Sequence, residues 1–488
     1  MAALRQWKTI LSFDLDRKSN IQDQIIKGIT HEIDKGRLSP GMILPGYRDL
    51  AAFLNVNRNT VASVYRELTG TGLLKTEVRK GTFVTGTPLP ADKRKVKKIQ
   101  ISTSTFSFNR FDEPIITTEI PPGYWQVKFD DGYPDPKQAP AGKFVATYKQ
   151  MSFRQMRQKK SEYNSGNSFR QMSSEISKML IAQRGLNVSE ENLCFILSTR
   201  MALYMVAQTL IKPGDYVVVE NPGETFCWQT FQRAGATLLP VTVDREGINT
   251  ESIAHLCLQK RIKAVYISPG CQYPTTVTLS TERRKHLLSL SERFGFAIVE
   301  SDYDHEFCYE LSTSLPLAAS NIEGNVIYLG NLSRMMAPLS LIATVAGPHQ
   351  FIQSLQSLYR SIYQRGDSVL ELTVTELLHL DVIGRHARAS LRAYKKKRDS
   401  MCGLLDKYLG QHVTYIPPPA GLAFFLKFNH DITDLRKHLS TDNIWIPNSN
   451  LISFNGEIPL AALRLGFASL STREAEKGII AIAEALSK

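Results

Sequence analysis

The sequence predicts an α/β protein built in separate parts, and three observations carry that prediction. At 488 residues the chain is longer than one hydrophobic core usually organises. Its positive charge is concentrated at the front: residues 1–100 hold 18 Lys+Arg against 9 Asp+Glu, whereas residues 101–488 hold 41 against 37. From about residue 123, short runs rich in Val, Ile, Tyr and Thr alternate with amphipathic stretches, the pattern of a largely parallel sheet with covering helices. Four segments follow: a head at 1–86, a basic linker at 87–122, a larger α/β lobe at 123–384 and a smaller α+β lobe at 385–488.

In the head, Ile21, Ile25, Ile29 and Ile33 recur at helical spacing until Gly36 and Pro40-Gly41 stop the helix. A second short helix after Pro45 places Leu50, Ala51 and Leu54 on one face. The tight link Asn55-Val56-Asn57 leads to a third helix over Arg58–Leu68, with Val61, Val64 and Leu68 inward. Two helices joined by such a turn fit a helix-turn-helix, and the extended runs Leu73–Lys75 and Gly81–Val84 form a hairpin around 76–80. A basic surface here suits a polyanion.

The linker shows no hydrophobic periodicity; Pro88, Pro90, the basic run 93–98 and the Ser/Thr-rich 102–107 read as a solvated tether. In the body, strands are expected at 216–220, 237–243, 264–268, 296–300, 326–329 and 341–346. The hydrophobic fraction of 43% and charged fraction of 22% are those of an ordinary globular protein. No apolar run reaches 18 residues and the first residues lack a signal-peptide core, so a cytoplasmic location is expected, with no membrane partner. The six cysteines form no CxxC pair and have no His at metal spacing, which predicts reduced thiols and no metal site.

The head resembles the GntR-type winged helix-turn-helix along its whole length, through Gly36-Arg37-Leu38-x-Pro40-Gly41, Leu44-Pro45, Arg48-x-Leu50-Ala51, Arg58-Asn59-Thr60-Val61 and Gly81-Thr82-Phe83-Val84. The resemblance implies a double-stranded DNA operator as partner. It places Arg48 on a phosphate, Asn57, Arg58, Asn59 and Thr60 at the start of the recognition helix, and Lys80, Gly81 and Thr82 at the wing tip. That agrees with the preference of helix N-termini for phosphate and base edges. Gly46 departs from the serine common there and removes one phosphate hydrogen bond.

The body resembles the fold-type I, pyridoxal-phosphate (PLP)-dependent-transferase-like domain of MocR/GabR-type regulators. The resemblance rests on Gly132-Tyr133-Pro134-Asp135, Arg184-Gly185, Glu220-Asn221-Pro222-Gly223, Gln272-Tyr273-Pro274-Thr275, Asp302-Tyr303-Asp304 and Arg464-Leu465-Gly466-Phe467. It implies a transcriptional regulator that forms a head-to-tail homodimer.

The cofactor-binding residues of that family are largely replaced. Arg334 stands at the Schiff-base lysine, and a guanidinium stays protonated and forms no imine. Ser301 stands at the carboxylate that meets the pyridine nitrogen, Glu224 at the stacking aromatic, and Leu341 at the phosphate arginine. Ser198-Thr199-Arg200-Met201 replaces the Gly-x-Gln-Gln loop, while Tyr303 is retained. No lysine occurs in 264–284 or 286–350. The expectation is therefore a catalytically inactive body without covalently bound PLP. Its pocket would be formed by Ser198, Thr199, Arg200, Glu224, Gln272, Tyr273, Ser301, Tyr303, Arg334 and Arg464.

Two fates of the pocket stand open at this stage. It binds an anionic effector through some of Arg200, Arg334 and Arg464, or Arg334 fills the vacated space and pairs with Glu224 or another buried acid. For Arg464, carboxylate capture stands against a salt bridge within the smaller lobe. Two rival functions also stand: a PLP-binding regulator or aminotransferase that uses the cofactor atypically, and a purely structural dimerisation body.

Overall fold

The computed structural model describes residues 6–17, 19–77, 80–85, 125–157, 167–309, 315–321, 324–332, 334, 336, 342–363, 366–447, 454 and 461–486. The chain divides into two compact units, Met1–Arg110 and Phe111–Lys488. The expected linker at 87–122 and Leu341 lie outside the described residues.

The first unit contains α1 (Gln6–Ile10), α2 (Ile21–Asp34), β1 (Ile43–Leu44), α3 (Tyr47–Leu54), α4 (Arg58–Gly70), β2 (Leu74–Glu77) and β3 (Gly81–Val84). Asn20 and Asn57 cap α2 and α4 by accepting backbone N–H groups of the first turn, and Asn55 ends α3 in the left-handed region at φ 52. Ile25, Ile29, Leu50, Val61, Val64 and Leu68 close a single core with Leu74 and Val84. The hairpin is part of a three-stranded antiparallel sheet, because β1 pairs with β3 on the side away from β2. The Tyr65 hydroxyl donates to Pro45 O at 2.9 Å and ties α4 to the start of α3.

The second unit opens with β4 (Val127–Lys128), α5 (Ala141–Met156) and α6 (Asn167–Arg184). Then come β5 (Leu193–Leu197), α7 (Thr199–Leu210), β6 (Tyr216–Asn221), α8 (Thr225–Arg233), β7 (Thr237–Asp244), β8 (Gly247–Ile248), α9 (Thr250–Gln259) and β9 (Ile262–Ile267). Next are α10 (Thr281–Phe294), β10 (Ala297–Asp302), α11 (Ala318–Asn321), β11 (Val326–Asn331), β12 (Ile342–Ala346), α12 (His349–Ile362), α13 (Ser368–His379) and the 28-residue α14 (Val382–Leu409). The chain ends with β13 (Val413–Thr414), β14 (Ala423–Phe428), α15 (Leu435–Thr441), β15 (Ile444–Trp445), β16 (Ala462–Gly466) and α16 (Thr472–Leu486).

Eight strands form one sheet in the order β5-β12-β11-β10-β9-β6-β7-β8. Its centre, β11-β10-β9-β6-β7, is parallel, while β12 runs antiparallel to both its neighbours and β8 closes the far edge antiparallel to β7. Alternate residues of the central strands feed two cores: Val265, Ile267 and Ile298 on one face, Ala264, Tyr266 and Val299 on the other. A third core belongs to the smaller lobe around β14, β16 and α16. The boundary expected at 123 shifts here, because β4 pairs with β15 and sends Val127 and Phe129 into the smaller core. Phe307 and Tyr309, just past β10, join the same core and bring the two lobes together at the end of that strand.

Candidate nucleic-acid interface and body cleft

In the head, Asn57 Oδ1 accepts the Asn59 N–H at 2.9 Å, so the first turn of α4 starts at Arg58 with its N–H groups directed outward. Asn57, Arg58 and Asn59 are exposed and Thr60 is half-buried. Arg48 is exposed in the first turn of α3, whose N-cap Gly46 makes no side-chain capping bond. Lys80 pairs with Glu77 at 3.2 Å, Gly81 turns at φ +119, and the Thr82 hydroxyl meets that of Thr76 at 3.1 Å. A side chain at Gly81 would force that positive φ on an ordinary L-residue.

In the body, the end of β10 sets the cleft. Alternation along the strand sends Glu300 and Asp302 to one face and Ser301 to the other. Glu300 accepts the N–H groups of Leu317 and Ala318 at 2.8 and 2.9 Å; burial nevertheless lifts it to about 7. Asp302 is held by Arg184 at 2.8 Å and by the Tyr328 hydroxyl at 2.9 Å. Ser301 hydrogen-bonds the Tyr266 hydroxyl, which also receives the Cys227 thiol at 3.1 Å; the thiol lies 3.4 Å from Glu224 Oε2. Ser301 and Glu224 therefore belong to one polar chain that runs from a buried to a half-buried residue.

Beyond β10, Arg334 Nε lies 2.9 Å from Asp304 Oδ1. The N–H does not point along that line, and neither Arg334 Nε nor either Asp304 oxygen completes a hydrogen bond, so the attraction is Coulombic. Arg334 also donates to Gly132 O and lies over the Tyr303 ring, 5.0 Å from its centroid. Burial alone would lower Arg334, yet Asp304 and Tyr303 hold it more firmly protonated than an ordinary arginine. Of the partners left open, Glu224 or another buried acid, the acid is Asp304, 1% exposed and positioned one residue past Tyr303.

Arg464, on β16, is 2% exposed. It pairs with Asp131 at 3.2 Å, donates to Pro274 O at 3.1 Å and lies 5.0 Å from the centroid of Tyr273, whose hydroxyl donates to Asp131 at 3.1 Å. Its salt bridge therefore reaches out of the β14–β16 sheet to the segment after β4. Burial raises Asp131 to about 6 even though Arg464 and Tyr273 pull it down. Gln272 ties the walls together: Nε2 donates to Pro222 O at 2.8 Å and Oε1 accepts from the Thr275 hydroxyl at 2.6 Å. Burial pushes Glu220, beside it, up to about 8.

The structure thus joins Tyr273, Tyr303, Arg334 and Arg464 through Asp131 and Asp304, two acids that residue-by-residue reading did not place in the pocket. Ser198, Thr199 and Arg200 form the start of α7, with Ser198 at φ 80 where the resembling family carries glycine. Arg200 is exposed, stacked 4.7 Å from the Phe226 centroid, and has no ion pair to a described carboxylate. Tyr303 is half-buried, and its buried hydroxyl lacks a hydrogen-bond partner among the described residues. Beside Tyr303 and Asp304 lies a cavity of about 20 Å³, room for about one water molecule. Among the described residues no group of three or more His, Cys, Asp or Glu gathers as for a metal ion, the six cysteines form no disulfide, and no helix is long and apolar enough to cross a membrane.

Comparison with known proteins is consistent along the chain. Residues 21–84 match the bacterial regulatory proteins of the gntR family. The chain is 24% identical over 437 residues to the probable rhizopine catabolism regulatory protein MocR of Rhizobium meliloti, covering 87% of this chain and 85% of that one. It is 24% identical over 480 residues to the HTH-type transcriptional regulator TauR of Rhodobacter capsulatus, covering 96% and 97%. An archaeal alanine:glyoxylate aminotransferase superposes with a TM-score of 0.66 at 24% identity, over 74% of this chain and 91% of that structure. The chain therefore joins a GntR-family winged helix-turn-helix to a fold-type I aminotransferase-like body, the two-part organisation of the MocR-type regulators.

Proposed function

We propose that this protein is a sequence-specific, DNA-binding transcriptional regulator whose body pairs two copies and takes an effector non-covalently, without Schiff-base chemistry. The carrying observation is the ion-paired Arg334 at the cofactor-lysine position of a chain whose recognition helix is complete and exposes Arg58 and Asn59 at its start. The described residues fit PLP poorly. The position that should offer a primary amine is a guanidinium held by Asp304, and the position that should meet a pyridine nitrogen with a carboxylate is a serine bound to Tyr266. Pairing of two copies is supported by α5, where Phe144 and Met151 face the core while Val145, Tyr148, Phe153 and Met156 remain exposed.

The effector keeps the anionic character expected from the sequence, but its anchors change. Arg334 and Arg464 are neutralised by Asp304 and Asp131, which leaves Arg200 as the cation that an incoming anion meets without displacing a described carboxylate. The test is an absorbance titration of the purified protein with PLP, followed by borohydride reduction and mass spectrometry. A flat spectrum with no adduct is expected. An internal-aldimine band with a reduced lysine adduct overturns the reading of the body and favours the rival, a regulator or enzyme that uses PLP from another lysine.

A further inference from the structure

Charge in the second unit is not spread evenly. Residues 111–488 carry 40 Lys+Arg against 37 Asp+Glu, a net +3. The single helix α14 carries eight Lys+Arg (Arg385, Arg388, Arg392, Lys395, Lys396, Lys397, Arg398 and Lys407) against Asp399 and Asp406, a net +6. The rest of that region is therefore slightly acidic, and its whole positive excess lies on one rod.

The placement of those charges along the rod is regular. At about 100° per residue, Arg385, Arg388, Arg392, Lys395 and Lys396 fall within an arc of about 100°, and all five are exposed. Ile383, Ser390, Tyr394, Met401, Leu405 and Leu409 are buried on the opposite side, so the helix is fixed by its apolar face and presents a basic one. Arg385 donates to Leu380 O at 2.8 Å and Arg388 pairs with Asp381 at 2.7 Å. Arg392, Lys395 and Lys396 have no ion pair or side-chain hydrogen bond to a described residue. Three like charges left unneutralised within five residues repel one another and cost stability, which a bound polyanion reverses.

We infer that the exposed face of α14 is a second DNA-binding surface, which grips the phosphate backbone of a duplex without reading its bases. This rests on the DNA-binding function proposed above. The occupant follows from charge and shape. The five residues span about 16 Å of helix, over which a duplex offers a phosphate every ~1.7 Å of its axis, so each cation finds a partner at fixed spacing. A membrane surface fits less well, because an interfacial helix brings apolar side chains to the lipid and here the apolar face is committed to the core. The three unpaired cations supply affinity and salt sensitivity; base selection stays with α4.

The test uses the full-length chain and a fluorescein-labelled duplex of mixed sequence, about six helical turns long, with anisotropy titrations between roughly 50 and 200 mM salt. The triple variant Arg392→Gln, Lys395→Gln, Lys396→Gln is compared with the unaltered protein. A control variant, Arg261→Gln, Lys263→Gln, Lys285→Gln, removes the same charge from exposed positions elsewhere in the body. The slope of log affinity against log salt is expected to flatten by about 0.9 for each phosphate that is no longer neutralised, up to about 2.7 in the α14 variant, and to stay unchanged in the control. Thermal unfolding midpoints of both variants should be no lower than the parent's, since the altered side chains lie at the surface and the α14 variant loses like-charge repulsion. An unchanged slope in a duplex-binding α14 variant, or an equal change in the control, overturns the inference and leaves the regulatory reading standing. Failure of the unaltered chain to bind any duplex overturns both.

Discussion

Replacing Arg334 by methionine keeps most of its volume and removes its charge, leaving Asp304 buried at 1% exposure with no counter-ion. With charge centres about 4 Å apart, the pair is worth about 4 kcal/mol at an effective dielectric of 20. Breaking a buried pair from one side typically costs about 3–5 kcal/mol, because the stranded charge keeps its desolvation penalty. The misaligned N–H argues for the lower end, so R334M should lose about 3 kcal/mol. D304N/R334M removes both charges and should recover most of that loss. Urea unfolding followed by tryptophan fluorescence reads the right region, since Trp125, Trp228 and Trp445 lie in the second unit and only Trp7 in the first. A loss below about 1 kcal/mol in R334M, or a double-mutant coupling near zero, refutes the claim that Asp304 holds Arg334 in place.

Three shorter predictions accompany it. Arg58→Ala, at the first turn of α4, should weaken binding to a selected operator by about 1–3 kcal/mol while leaving binding to mixed-sequence duplex much less affected; equal losses on both would mean it touches only phosphate. Glu220 holds its proton in the fold up to about pH 8 but releases it near pH 4.5 when unfolded, so its contribution weakens stability progressively as pH rises through that window. Glu220→Gln should therefore raise the thermal midpoint above that window, at about pH 9, relative to its effect at about pH 5, and a pH-independent effect contradicts the assignment. Phe153→Glu with Met156→Glu, on the exposed side of α5, should shift sedimentation from dimer toward monomer; an unchanged dimer places the interface elsewhere.

What could be read from the sequence followed the range of the interactions. Helices α2, α3 and α4 were legible because their apolar spacing and the Asn-rich turn are local, and the six named body strands appear with boundaries moved by one or two residues. Three elements of two to five residues were not: α1, β1 and β5 have too little periodicity to stand out. The antiparallel sense of β12 was equally hidden, since strand direction is decided by partners far along the chain. The same distance hid the pocket's acids. Asp304 lies 30 positions before Arg334, and Asp131 lies 333 positions before Arg464. Asp304 could have been suspected: a buried carboxylate just past the end of a central strand needs a cation, and Arg334 supplies one.

That pairing bears on the proposed lysine-to-arginine replacement. A primary amine that becomes a permanent guanidinium inside a protein is a new buried charge, and it is tolerated only where an acid already stands within reach. Asp304 meets that need for Arg334, and Asp131 meets it for Arg464. The two pairs flank Tyr303, whose buried hydroxyl finds no partner among the described residues. An arrangement that cancels its own charge on both sides of an unsatisfied donor is suited to holding a conformation rather than to moving protons. A ligand that reached Arg334 or Arg464 would have to exchange with these internal pairs. Its binding energy would then be coupled directly to the junction between the lobes, where Phe307 and Tyr309 enter the smaller core.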